Sequence, residues 1–124
     1  MLYIVAGEVV ARVSGQSWEE FVESRIMKPL GMNESSASIK RIKSRANIID
    51  AHVPVNGKLQ VVAKQEGKIH NSVGGIYSNA SDLSKWIMMQ LNRGRYGRHP
   101  DEVLFSEDAH RVMWTPHTVR PVST

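Results

Sequence analysis

Helix-start signals are the feature that most constrains the fold of this chain. Ser17-Trp18-Glu19-Glu20 is a capping box, in which the Ser17 hydroxyl and the Glu20 carboxylate satisfy backbone donors reciprocally. Asn79 and Ser106 are placed to cap two more helices, because each precedes a first turn that contains an acidic residue. The helix after Asn79 has four apolar residues on one side: Leu83, Trp86, Ile87 and Leu91. The chain is therefore predicted to contain three short, capped helices.

A fourth helix is predicted at the start of the chain, where five apolar residues recur at helical spacing: Leu2, Val5, Ala6, Val9 and Val13. Gly15 is suited to end it, but no capping residue precedes it. We therefore expect Met1 to be an artificial or misassigned start at the edge of a helix. The tail from Pro121 to Thr124 is predicted to be extended, without an evident partner, as in an internal piece of a longer protein.

One β-hairpin is predicted, because Asn56-Gly57 is a strong two-residue turn signal between Ala51–Val55 and Lys58–Val62. Pro54 confines the first strand to a sheet edge. The polar residues from 33 to 47 lack a clear period and predict a loop, or at best a short exposed helix. The expected fold class is α+β, mostly helical, with about four helices and one hairpin.

Composition limits the kind of protein. The 124 residues, 41% of them hydrophobic, suit one small domain or fragment covering residues 1–124. Without cysteine the chain has no disulfide or thiolate site, and no apolar run is long enough to span a membrane. The net charge of +4 is mild, and no signal-peptide pattern is present, so the compartment stays open.

The search for catalytic motifs in the sequence finds none. No lysine has a serine three residues before it, so the Ser-x-x-Lys pairing of nucleophile and base is missing, as are Gly-x-Ser-x-Gly, Lys-Thr-Gly and His-x-Gly. The five histidines lack metal-ligand spacing, and no cofactor motif occurs. We predict no catalytic residue, no metal site and no cofactor.

Two other stretches have simple structural interpretations. The basic run from Lys40 to Arg45 lacks a neighbouring aromatic residue for base stacking, so a solvated loop is favoured over a nucleic-acid contact. Trp86-Ile87-Met88-Met89 has the spacing of core residues rather than of a cofactor pocket.

Several short blocks follow one another at compatible spacing: Tyr3 with Ala6–Glu8, Val13–Phe21, Lys28–Met32, Gly74–Ser78, Asp82–Trp86, Leu104–Glu107 and Trp114–Pro116. Their order resembles the class C β-lactamase and penicillin-binding-protein family of serine hydrolases, which includes esterases and D-aminopeptidases. The resemblance covers nearly the whole chain. It implies a fragment from the helical and cleft-wall part of a β-lactamase-like fold.

The resemblance implies that this chain alone is inactive. The family's Ser-x-x-Lys and Tyr-x-Asn motifs would precede Met1, and its Lys- or His-x-Gly strand would follow the last residue. Tyr3 is similar to the family's second tyrosine, shortly after the catalytic one. The parent would hydrolyse a small-molecule amide or ester through an acyl-enzyme, and such proteins are often periplasmic or secreted.

Tyr77-Ser78-Asn79 spells Tyr-x-Asn but is predicted not to be catalytic. It follows Gly74 and Gly75 and precedes the Asp82-Leu83 pair, which matches a later helix start of the family, so Asn79 is interpreted as a cap. The resemblance further implies that Gly74 and Gly75 line the substrate-cleft wall, where absent side chains leave room. A tight turn with positive φ is the alternative for both glycines.

Two other functions stay open. The chain is either a binding module for an anionic partner such as nucleic acid, through Lys40–Arg45 and the arginines at 93, 95 and 98, or a scaffold that has lost its catalytic parts. Exposed apolar surface on the first helix and an unpaired hairpin edge also predict self-association, as a homo-oligomer.

Overall fold

The computed structural model describes residues 2–63, 71–99 and 102–118. Five α-helices and two strands follow in chain order: α1 (Leu2–Ser14), α2 (Trp18–Val22), β1 (Ala51–Val55), β2 (Lys58–Val62), α3 (Asn71–Gly74), α4 (Ala80–Leu91) and α5 (Glu107–Trp114). A π-helical turn at Glu23–Met27 continues α2, and a 3₁₀ turn spans Ile39–Arg41. The predictions for Met1, His70 and the tail from Pro121 to Thr124 concern residues outside these ranges.

The predicted helix caps are confirmed. Ser17 Oγ accepts from the Glu20 N–H at 3.2 Å, and the Glu20 carboxylate accepts from the Ser17 N–H at 3.1 Å. Asn79 Oδ1 accepts from the Asp82 N–H at 2.8 Å. Ser106 Oγ accepts from the third residue of α5 at 3.1 Å. All four predicted helices are present, and α3 adds a single further turn.

The hairpin forms in the predicted register. Asn56 and Gly57 have φ of 51° and 75°, as a type I′ turn requires. The strands pair antiparallel, with Val53 opposite Gln60. Every strand residue is exposed except Val62, which is half-buried. The α+β class is therefore confirmed.

The core lies between α2, its π-helical continuation, the following loop and α4. Its buried apolar members are Val22, Met27, Leu30, Met32, Ala37 and Met89. The prediction of a loop, or at best a short exposed helix, at residues 33–47 misses the burial of Ser36 to Ile39. Ala37 is fully buried as a member of this core.

The predicted apolar side of α4 is also wrong in part. Asp82 and Met89 are buried and Trp86 is half-buried, whereas Ile87 is 54% exposed and Leu91 is 70% exposed. The side of α4 that packs inward begins with the charged Asp82. A search for apolar residues at helical spacing cannot find such a side.

Helix α1 exposes its predicted apolar face. Leu2 and Val13 are both 84% exposed, whereas Gly7, on the inner side, is buried against Ser72 and Trp18. Gly15 ends the helix with a φ of 69°, as predicted. Among the described helices, none combines the length and the apolarity that crossing a membrane requires.

Candidate functional site

The candidate site is the segment from Asn71 to Asn79, which α1 and α2 hold on one side. Asn71 Nδ2 donates to Glu19 Oε1 on α2 at 2.6 Å. A Cβ on Gly7 of α1 would lie 2.6 Å from Ser72 Oγ, so only glycine allows α1 to approach so closely. These contacts fix where α3 sits.

Gly74 is the last residue of α3 and Gly75 follows it, and the two glycines have different surroundings. A Cβ on Gly75 would lie 2.5 Å from Asn71 Cα, whereas a Cβ on Gly74 would meet nothing within 4 Å. The Gly75 N–H donates to Asn71 O at 2.9 Å. Neither glycine has positive φ, so the tight-turn alternative is wrong for both. Gly75 is required by a close backbone approach, and Gly74 borders open space.

The other side of the segment is held by the backbone of Ser36. Tyr77 and Ser36 exchange two backbone hydrogen bonds of 2.9 Å, which form an isolated antiparallel bridge. The hydroxyls of Ser78 and Ser35 lie 2.8 Å apart. The glycines therefore lie between two anchored ends.

Asp82, at the start of α4, is the most enclosed charged group near the segment. Its side chain is 3% exposed and accepts from the Glu34 N–H at 2.9 Å, Ser35 Oγ at 2.8 Å and Lys85 Nζ at 2.7 Å. Burial alone would raise the pKa of Asp82, but these hydrogen bonds and the Lys85 charge outweigh it and hold the pKa below the ordinary aspartate value. Asp82 is therefore an ionised anchor and a poor base.

Glu23, in the π-helical turn, is a second carboxylate that binds nearby backbone. Its carboxylate accepts from the Ala37 N–H at 3.0 Å and pairs with Arg41 at 2.8 Å. Burial would raise the pKa of Glu23, but the bonds from Arg41, Ala37 and Ser36 prevail and lower it. The same hydrogen bond from Arg41 raises the pKa of that guanidinium.

The pairing of Arg41 bears on the basic run. Arg41, the first arginine of that run, is engaged by Glu23, so part of the basic surface predicted for an anionic partner has a structural role. Arg95, in the second basic stretch, lies 3.5 Å from a carboxylate oxygen of Glu107.

The contacts of Tyr77-Ser78-Asn79 are those of a helix start. The Asn79 side chain caps α4, as predicted, and the Ser78 hydroxyl lies against the Ser35 hydroxyl and the Asn79 carbonyl oxygen. Lys85 Nζ is bound to Asp82 and to the Gly31 carbonyl oxygen. These two partners of Lys85 are a carboxylate and a backbone carbonyl rather than a serine hydroxyl.

The histidines of the described ranges lie on separate elements or loops. His52 lies on β1, while His110 stacks on Phe105, with ring centroids 6.2 Å apart, and its Nε2 has no hydrogen-bond partner among the described residues. In that same part of the chain, no cluster of three or more His, Asp or Glu side chains could hold a metal ion.

A solved structure has the same fold as this chain. The octameric penicillin-binding protein homologue from Pyrococcus abyssi superimposes with a TM-score of 0.76 over 98% of this chain and 25% of that one, at 24% identity. This likeness shows the fold: the helices and the hairpin form part of a penicillin-binding-protein-like architecture.

Sequence relatives identify the family. The family model described as Beta-lactamase matches residues 1–122. Beta-lactamase-like protein 1 of Dictyostelium discoideum is 31% identical over 77 residues, which are 62% of this chain and 12% of that protein. Protein flp of Staphylococcus aureus is 28% identical over 93 residues, 74% of this chain and 18% of its own length. The chain belongs to the beta-lactamase family, and it spans between 12% and 25% of the length of these relatives.

Proposed function

We propose that these 124 residues form the helical part and one wall of the substrate cleft in a β-lactamase-related serine hydrolase, with Gly74 and Gly75 in that wall. One observation carries the proposal. The segment is anchored at both ends, yet a side chain at Gly74 would project into open space. A rigid backbone without side chains beside an opening suits the close approach of a substrate.

The proposed parent reaction is acyl transfer to water. A serine oxygen outside these residues attacks the amide or ester carbonyl carbon while a base takes the hydroxyl proton, and the leaving group departs with a proton. Water then attacks the acyl-enzyme and releases the acid. In this scheme residues 71–79 bind and orient the acyl group, and their own side chains take no part in bond making.

The first experiment uses the chain as it stands. It should hydrolyse neither a chromogenic β-lactam nor a nitrophenyl ester, and a serine-reactive fluorophosphonate should not label it, because no lysine in the sequence follows a serine by three residues. Stoichiometric labelling of one serine would contradict the proposal.

The second experiment uses the longer gene product that the proposal requires. Gly74→Leu should raise KM for bulky substrates about tenfold or more, because the new side chain occupies space reserved for the acyl group. Ala46→Leu adds the same side chain on an exposed loop and is the control. Equal kinetic constants for both variants would contradict the proposed placement of Gly74 in the cleft wall.

We also propose that the isolated chain self-associates through α1 and the hairpin. Val5 and Val9 are 58% and 52% exposed, on the same apolar face as Leu2 and Val13. The similar protein from Pyrococcus abyssi is octameric. A second copy of the chain would cover this face.

A further inference from the structure

We infer that Asp82 and Glu23 are positioning residues, which hold the proposed cleft wall in place from two sides through the strip Ser35–Ala37. This inference rests on the proposed function of Gly74 and Gly75. It assigns to two carboxylates a role in the geometry of the cleft, although neither lies in the wall itself.

The first clamp fixes the start of the strip to α4. One oxygen of Asp82 accepts from both the Glu34 N–H and Ser35 Oγ, at 2.9 and 2.8 Å, and the other accepts from Lys85 Nζ. Ser35 Oγ also meets Ser78 Oγ at 2.8 Å, so one serine joins the carboxylate to the wall. Hydrogen bonds to a charged acceptor are stronger than neutral ones, which makes this junction stiff.

The second clamp fixes the end of the strip to the π-helical turn. Glu23 accepts from the Ala37 N–H at 3.0 Å and more distantly from Ser36 Oγ at 3.5 Å. Arg41 neutralises the carboxylate from the outer side, at 2.8 Å. Glu23 is the first residue of the π-helical turn, directly after α2, and its carboxylate reaches the strip from there.

Backbone hydrogen bonds connect the clamped strip to the wall. Ser36 lies between the two clamped residues and exchanges both of its backbone hydrogen bonds with Tyr77, two residues after Gly75. Side-chain packing contributes little on the outer side, because Ile76 is 46% exposed and Gly74 has no side chain. At the Tyr77 end, the position of the wall therefore depends on hydrogen bonds to the strip, while α1 and α2 hold the Asn71 end.

The test measures amide hydrogen exchange by NMR in the 124-residue chain. Asp82→Asn should speed exchange of the Ser36 and Tyr77 amides by about tenfold or more, the usual effect of losing hydrogen bonds to a charged group. Exchange at Val53 in the hairpin should not change. Asp108→Asn, which neutralises an exposed carboxylate on α5, is the matched control and should leave Tyr77 unaffected.

Milder variants keep the test decisive if Asp82→Asn does not fold. Ser35→Ala should loosen the Tyr77 amide, and Ser35→Thr, which retains the hydroxyl, should restore its protection. Glu23→Gln should speed exchange at Ala37 and Tyr77 together. Unchanged exchange at Tyr77 in Ser35→Ala and Glu23→Gln would overturn the clamp.

A kinetic readout separates the clamp from the proposed function. In the longer gene product, Ser35→Ala should raise KM several-fold with kcat nearly unchanged, as expected when binding geometry alone is disturbed. A loosened Tyr77 amide with unchanged KM would overturn the proposed wall and leave the clamp intact. An unchanged amide with altered KM would overturn the clamp.

Discussion

At Asn79, one side-chain amide decides how the Tyr77-Ser78-Asn79 tripeptide is interpreted. Its Oδ1 accepts the Asp82 N–H, which would otherwise be an unpaired donor in the first turn of α4. A catalytic asparagine would need to direct this group toward a substrate. The cap therefore accounts for the Asn79 oxygen and favours the structural interpretation of this residue.

Replacement of Asn79 tests the cap. Asn79→Ala should lower the free energy of unfolding by about 0.5–2 kcal/mol, measured by urea denaturation. Tyr77→Phe should leave any ligand binding unchanged. Ser81→Ala, at an exposed position of the same helix, is the control. Loss of ligand binding in Tyr77→Phe at unchanged stability would instead make the tripeptide a functional site.

The two carboxylates of the clamps predict how stability depends on pH. Since the pKa values of Asp82 and Glu23 are lowered in the folded chain, their stabilisation is complete above the unfolded-state values of about 3.9 and 4.3 and is lost as pH falls through the folded-state values. The melting temperature should therefore drop on acidification below about pH 4.

Thermal unfolding of the wild type and Asp82→Asn at a series of pH values checks this expectation. The variant should be less stable at neutral pH and should lose less stability in acid. Asp108→Asn should follow the wild-type curve. Parallel curves for wild type and Asp82→Asn would contradict the assignment.

At the scale of elements, the hairpin is set by its own turn. Asn56 and Gly57 both have positive φ, and the strands expose nearly all of their side chains, so local geometry rather than packing determines the pairing.

Gly57→Ala should accordingly destabilise the hairpin by about 1–2 kcal/mol, because an L side chain is strained at this φ. Amide exchange at Gln60 should accelerate, whereas the unfolding midpoint of the helices should hardly move. Asn56→Gly keeps the turn and is the control. A comparable loss of helix stability in Gly57→Ala would show that the hairpin is part of the core.

At the scale of the whole molecule, α1 leaves an apolar face without cover from the described residues. Contiguous exposed apolar surface of this kind favours association. A hydrophobic dye such as ANS should bind the chain, and sedimentation equilibrium should show oligomers at micromolar concentration.

Val5→Lys with Val9→Lys should shift the chain toward monomer, since two charges cannot be buried in an apolar contact. Val112→Lys on α5, at a valine of similar exposure, should not. A wild-type monomer at high micromolar concentration without dye binding would contradict self-association and would favour the binding-module interpretation.

Much of the secondary structure could be predicted from the sequence alone. Caps at Ser17, Asn79 and Ser106, the end of α1 at Gly15 and the Asn56-Gly57 turn all act within three or four residues, so the sequence contains the whole interaction. The family resemblance rests on the order of such local signals, and the match of the Beta-lactamase family model to residues 1–122 confirms it.

The geometry of the candidate site could not be predicted from the sequence and required the tertiary structure. The placement of Gly74 and Gly75 in a cleft wall stays a prediction, but the close approach at Gly75 needed the positions of α3 atoms, and no periodic pattern marks it.

Burial of Ser36 to Ile39 and the inward side of α4 were decided by partners far along the chain. Asp82 reaches Glu34 across 48 positions, and Glu23 reaches Ala37 across 14. A buried carboxylate is stabilised only where several donors converge on it, and that convergence is a property of the folded chain, not of any local stretch of sequence.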